Sequence, residues 1–303
     1  MFSPNPGCIL GKNHPHCRIF VSKARTLSAL LSLLALTASS VCPGQEGKPS
    51  ETQSGQESSY EGELAKQAQN PVADLISVPI QNNFNFNVGP HNQTQTVINI
   101  QPVIPIHLSE DFNLITRTIL PVVDQPDPAS NTSQFGLGNL NTTLFLSPAK
   151  SKAVTWGAGP VFGFPTKTNN LLGSDTFTVG PSAVVVAMSK HWVIGALANQ
   201  QWSIGDSAPN QRVNALLIQP FINYNMPEGW YLTTSPVITA NWEAFGSNSS
   251  DRWVIPIGGG FGKIVKTGGP PLNMNLQGYY NVVNPTQGSD WQLRCTVTLL
   301  FPR

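Results

Sequence analysis

Asp290-Trp291-Gln292-Leu293-Arg294-Cys295-Thr296-Val297-Thr298-Leu299-Leu300-Phe301-Pro302-Arg303 is the stretch that decides the fold class. Trp291, Leu293, Cys295, Val297, Leu299 and Phe301 fall on one phase of a two-residue period, and Gln292, Arg294, Thr296 and Thr298 on the other. Successive side chains of a strand point to opposite faces, so this segment has one apolar and one polar face. An apolar face that opens on Trp and closes on Phe suits lipid better than water.

The same alternation recurs upstream. Phe84, Phe86 and Val88 oppose Asn83, Asn85 and Asn87, while Ile98, Ile100, Ile104 and Ile106 oppose Asn99, Gln101 and His107. Leu272, Met274, Leu276 and Tyr280 oppose Asn273, Asn275, Gln277 and Asn281. Trp230, Leu232, Ile238, Ala240 and Trp242 oppose Thr233, Ser235, Thr239 and Asn241, and Trp192 and Trp202 repeat that arrangement one hairpin earlier. Twelve strands are predicted, at 82–88, 95–108, 112–123, 135–147, 153–165, 176–188, 191–204, 213–226, 229–243, 252–266, 271–283 and 290–301. Segments of this length suit a tilted bilayer crossing, and an even number with aromatic residues at both ends is the pattern of outer-membrane barrels.

The connections fall into two sets. Ser109-Glu110-Asp111, Pro148 to Lys152, Ser189-Lys190, Pro227-Glu228 and Thr267 to Pro270 are short and are expected on the periplasmic side. Asp124 to Gln134, Lys167 to Asp175, Gly205 to Arg212, Ala244 to Asp251 and Asn284 to Ser289 are longer and belong on the outside. The fold expected is therefore all-β: an antiparallel transmembrane β-barrel over residues 82–303, with a short helical segment at 61–81 before it. Asn70-Pro71 reads there as the cap and first position of a helix running through Ile76.

Lys12, Arg18, Lys23 and Arg25 precede the uncharged apolar run Leu27 to Ala38, and Ala38-Ser39-Ser40 follows. This order predicts a secretory signal peptide over residues 1–40, its apolar core too short to span a membrane as a helix. Its removal takes four of 17 basic residues and no acidic one, leaving 13 basic against 16 acidic, or −3. Residues 41–60 are rich in Gly, Ser, Gln and Glu and read as a disordered linker. Cys8, His14, His16 and Cys17 have ligand chemistry but lie in the leader, so no metal site is drawn from them. Only 11% of residues are charged, less than half of the usual ~25%, and this excludes the basic field of a nucleic-acid binder.

Pro102, Pro160, Pro181, Pro220 and Pro236 fall near strand middles, where proline removes a ladder donor. All five share the apolar phase, so bulges or kinks with rings facing lipid are expected. Gly258-Gly259-Gly260-Phe261-Gly262 lacks the Gly-Lys-Ser/Thr ending of a phosphate loop and reads as a bend in the tenth strand.

Asn70-Pro71-Val72-Ala73-Asp74-Leu75-Ile76-Ser77-Val78-Pro79, Asn99-Ile100-Gln101-Pro102-Val103-Ile104-Pro105, Leu114-Ile115-Thr116-Arg117-Thr118 and the ending Asp290 to Pro302 together resemble bacterial proteins that carry the label neuromedin U by transfer. These are similar to outer-membrane transporters of the phenol-degradation (MetA-pathway) type. The resemblance covers roughly residues 61 to 303. It implies a barrel and a transport role in the outer membrane of a Gram-negative cell, and brings no catalytic residue. Phe301 is followed by Pro302-Arg303, whereas such barrels end on an aromatic residue.

The polar phase supplies the candidate lumen: Arg117, Arg294, Asn99, Gln101, Asn273, Asn275, Gln277, Asn241 and Glu243. Lumen charges tune selectivity, so Arg117 and Arg294 are expected to favour anions or polar aromatics, and their joint replacement by Gln to abolish that preference. The plainer alternative has both arginines paired with lumen carboxylates such as Glu243. His91, His107 and His191 stand in no recognisable serine motif, which speaks against a hydrolase. No metal or organic cofactor is implied; the expected partners are outer-membrane lipid, the barrel assembly machinery and a small solute. Two alternatives to a channel stand beside it: a closed or plugged barrel with a structural or surface-binding role, and an exported soluble β-sandwich.

Overall fold

The computed structural model describes residues 51–302 apart from 151–152, 206–211 and 245–248, so the predicted signal peptide and the first half of the predicted linker lie outside the described residues. One helix, α1 (Glu51–Ala68), leads into β1 (Ile76–Val88), β2 (Gln93–Ile100 continued by Val103–His107) and β3 (Phe112–Pro126). There follow β4 (Ser133–Leu137 and Leu140–Pro148), β5 (Val154–Phe164), β6 (Thr178–Met188), β7 (Trp192–Ser203) and β8 (Asn214–Asn225). The last four are β9 (Trp230–Thr234 and Ile238–Asn241), β10 (Trp253–Val265), β11 (Leu272–Val283) and β12 (Trp291–Phe301).

Every neighbour in sequence pairs antiparallel, and β12 returns to β1 in an unbroken register from Ile76↔Phe301 to Phe86↔Trp291. The sheet is thus a closed twelve-stranded barrel, which leaves no edge. Closure rules out the sandwich.

The phases fall as the alternation requires. On β12, Arg294, Thr296 and Thr298 are buried inside while Trp291, Val297 and Phe301 are exposed outside. Cys295, a free thiol, lies on the outer phase between Asn82 and Leu276. Trp156, Trp192, Tyr224 and Trp230 ring the short-turn end, and Trp202, Trp242, Tyr280 and Trp291 the other. Lys263 reaches along the wall to place its Nζ 4.8 Å from the Trp230 ring, as a lysine at a membrane interface does. Between these girdles the outside is a band of exposed Ile, Leu, Val and Phe far larger than a water-facing surface carries.

Leu276 stands 39% exposed at the middle of β11. Replacing it with Arg is expected to destabilise the folded barrel by about 2–4 kcal/mol in lipid vesicles, measured by a denaturant titration; a loss below about 0.5 kcal/mol would contradict a lipid-facing site.

Two of the five mid-strand prolines break their strands: Pro102 sits between the halves of β2, and Pro236 between the halves of β9. Pro160, Pro181 and Pro220 stay within strands but interrupt one ladder each. Pairing lapses between Thr143↔Val161 and Leu146↔Ala158, between Val179↔Trp202 and Ser182↔Asn199, and between Ile218↔Ile238 and Ile222↔Thr234. A missing donor leaves only an under-used carbonyl, the more tolerable defect. The glycine run lies inside β10, where a Cβ on Gly258 or Gly260 would overlap a carbonyl oxygen of Gly278 or Leu276.

Three sequence expectations are corrected. The barrel begins at Ile76, not 82, because Ile76, Val78 and Ile80 continue the outer phase that β12 needs as a full-length partner. The helix is Glu51–Ala68, so it starts within the predicted linker and ends before Asn70. Asn70-Pro71 opens a turn, in which Asn70 Oδ1 accepts from the Val72 N–H at 3.1 Å and Asn70 O from Ala73 N–H at 3.1 Å. The predicted loop 124–134 is largely hairpin, since Asp124 to Pro126 pair with Ser133 to Phe135. The kink in β4 instead falls at Gly138-Asn139, whose flanks are held by the long 165–177 connection: Thr166 Oγ1 accepts from Leu140 N–H and donates to Gly138 O.

Candidate functional site: the barrel interior

The inside of the barrel divides into an apolar half and a polar half. Towards the short-turn mouth, Ile115, Phe145, Val184, Val186, Val193, Leu197 and Phe221 point inward from β3 to β8 and form one cluster. Val72, only 4% exposed, completes it. On the opposite wall Ile264 of β10 and Leu300 of β12 pack with Leu64, Ala65, Ala73 and Leu75. The segment from α1 to β1 therefore spans the short-turn mouth from wall to wall. Two further contacts fasten it. Gln69 and Asn225 exchange amide hydrogen bonds of 2.8 and 3.1 Å, and Asp74 approaches His107 at 3.3 Å on the exposed rim.

Above this floor lies a chamber of about 200 Å³. Gln69, Asn70 and Pro71 form its base, and its walls carry Gln219, Asn223, Asn273, Asn275 and Gln277 with Thr296 and Thr298. Arg117 of β3 faces it, and its Nη2 donates to Gln101 Oε1 at 2.8 Å. Among the described residues Arg117 is the one charged side chain lining the chamber. Tyr231, inward on β9, donates to Asn273 Oδ1 at 2.5 Å.

Arg294 does something different. It is 2% exposed and donates from Nε to Asn83 Oδ1 (3.1 Å), from Nη1 to Ser235 O (2.9 Å) and from Nη2 to Gln292 Oε1 (3.1 Å). The guanidinium also lies 5.0 Å from the centre of the Tyr279 ring. Tyr279 in turn hydrogen-bonds Gln277 and accepts from Ser235 N–H at 2.9 Å, and Ser235 Oγ donates to Gln277 at 3.0 Å. The break in β9 before Pro236 is what turns the Ser235 backbone towards this network.

The candidate lumen residues are thus sorted. Gln101, Arg117, Asn273, Asn275 and Gln277 meet around the chamber; Arg294 braces its wall; Asn99 pairs with Gln81 on the inner face. Asn241 and Glu243 lie at the long-loop end, where Asn241 Oδ1 accepts from the Glu243 N–H at 3.1 Å, and they do not line the chamber. Among the described residues the partners of the two arginines are amides, a hydroxyl, a carbonyl and a ring rather than Glu243. Sequence reasoning missed Val72, Gln219 and Asn223. Gln219 and Asn223 alternate with Ile218, Pro220 and Ile222 and were legible; Val72 was hidden by the helical reading of its neighbours.

No family model and no curated protein matches this chain. Among solved structures it is similar to an outer membrane channel from Pseudomonas putida F1, at 19% identity and a TM-score of 0.56, covering 75% of this chain and 94% of that one. An outer membrane phospholipase dimer from Salmonella typhi, solved with bound calcium, aligns over 80% of this chain and 96% of that one at 14% identity and a TM-score of 0.41. The first likeness, with the apolar outer band and the closed register, identifies the fold as a twelve-stranded transmembrane β-barrel of the outer-membrane type.

Proposed function

We propose that this chain is an outer-membrane channel for small polar or anionic solutes, stopped at its short-turn mouth by residues 69–75. The observation that carries the reading is the amide- and hydroxyl-lined chamber within the wall, facing a single guanidinium. A barrel needed only as a scaffold has no use for a polar interior of this kind, since interiors of small barrels fill with packed side chains. The sequence resemblance to phenol-degradation (MetA-pathway) type transporters supports transport, as does the description of the Pseudomonas putida F1 protein as a channel. Residues 1–40 would serve as the export signal and the barrel assembly machinery as the insertion partner.

Folded protein reconstituted into liposomes is expected to admit small sugars, amino acids, inorganic anions or phenols selectively once the 69–75 segment is released by mutation. No permeation by any of them, with insertion verified and with the 69–75 segment released by mutation, would remove the channel reading. A second reading, a barrel plugged for good, is favoured by the burial of Val72 and the Gln69–Asn225 amide pair. Permeation through the unmodified chain would exclude it.

A further inference from the structure

We infer that the chamber is a binding site for a small monocarboxylate with a short apolar end, held through Arg117. The inference deepens the channel reading and rests on it for biological purpose, but not for binding. Arg117 is enclosed by the barrel and keeps one side open to the chamber. Among the described residues it makes one hydrogen bond, which takes a single N–H of the five a guanidinium offers and goes to the neutral Gln101. Arg294 provides the internal comparison: its nitrogens are spent on Asn83, Ser235 and Gln292 and it braces the wall. Arg117 has no such set, so donors in fork geometry face a cavity lined by no acidic residue among those described.

A cation confined here with no counter-charge attracts an anion strongly, and a planar carboxylate matches the fork. The surroundings set the rest of the ligand. Val103, directly across from Arg117 in the β2–β3 ladder, and Leu197 and Phe221 across the barrel offer apolar contact. Gln219 and Asn223 add amide donors and acceptors. A fully hydrated inorganic anion would use the guanidinium and leave that apolar contact unused, whereas a short-chain carboxylate uses both. A dicarboxylate would bring a second charge with no second cation to meet it.

The test is equilibrium binding to folded protein in detergent, read by calorimetry, with butyrate, butanol, butylammonium and succinate as probes. Butyrate is expected to bind, and the other three to bind at least about tenfold more weakly, the share of one charge-assisted hydrogen-bonded contact. Arg117→Gln should weaken butyrate by about ten- to a hundredfold while leaving butanol unchanged, and Arg117→Lys should restore part of the loss. Because heat-modified migration on gels reports folding of each variant, a misfolded Gln variant is recognised and the Lys variant carries the comparison. Butyrate binding no tighter than butanol, or unchanged in a folded Arg117→Gln barrel, overturns the inference. Binding as expected without permeation through liposomes, even with the 69–75 segment released by mutation, would keep the site and remove the channel.

Discussion

Replacing Val72 with Asp is expected to open the short-turn mouth. Val72 is the one side chain of the 69–75 segment seated in the inward cluster of Ile115, Phe145, Val184 and Val193. Burying a valine there is worth about 1.5–3 kcal/mol, and an unpaired carboxylate in its place costs several kcal/mol more. The wall itself is held by ladders that Val72 does not join, so the change falls on the docked segment and not on the barrel. A swing of about 4 kcal/mol shifts the docked-to-undocked ratio by roughly a thousandfold. Single-channel conductance should rise several-fold, and residues 60–75 should become sensitive to protease. A segment that becomes cleavable with no change in conductance would show that it does not close the path. Val72→Ile serves as the control and should leave both readings in place.

Replacing Arg294 with Met is expected to cost about 3 kcal/mol or more of folding stability. The guanidinium donates to Asn83, Ser235 and Gln292 at once; removing it leaves Ser235 O and Gln292 Oε1 with no donor, each carrying a penalty of about 1–3 kcal/mol, while Asn83 Oδ1 keeps the Gln81 amide at 3.1 Å. The loss has a particular place: Ser235 precedes Pro236, where the β8–β9 ladder already lapses, so Arg294 is what ties that turn of wall to β12 across the interior. Unfolding in detergent, followed by the heat-modified gel shift, should occur well below the wild-type midpoint. A midpoint shift equivalent to less than about 1 kcal/mol would mean that water replaces the guanidinium. Arg117, with one hydrogen bond against several, should tolerate the same substitution far better, and the contrast between the two arginines is the sharper measurement.

The strands were legible because the two-residue period survives wherever one face meets lipid and the other meets amides. Trp230 and Trp242 marked the two ends of β9 correctly, and Gln101, Asn273, Asn275 and Gln277 were placed on the inner phase by alternation alone. Where both faces are apolar the period disappears. Val184-Val185-Val186 carries no phase, so the inward cluster that seats Val72 left no trace in the pattern. Asn70-Pro71 misled for a related reason: an asparagine before proline opens a turn as readily as a helix, and only the docking of Val72 and Leu75 on opposite walls decides between them. The different duties of Arg117 and Arg294 depend on where the Pro236 break sends Ser235, a contact between residues 59 positions apart.

The seam between β1 and β12 sets the order of events in assembly. It joins Ile76 to Phe301, about 225 positions along the chain, and every one of its ladder bonds waits for the last eleven residues of the barrel. Bringing such distant segments together costs only about 5 kcal/mol of chain entropy, so the delay is one of time and not of energy. Until β12 arrives, the sheet has two bare edges, each a template for pairing with another chain. A chain ending before Trp291 therefore has no route to a monomeric barrel, however sound its first eleven strands, and its fate is set by how long those edges stay guarded.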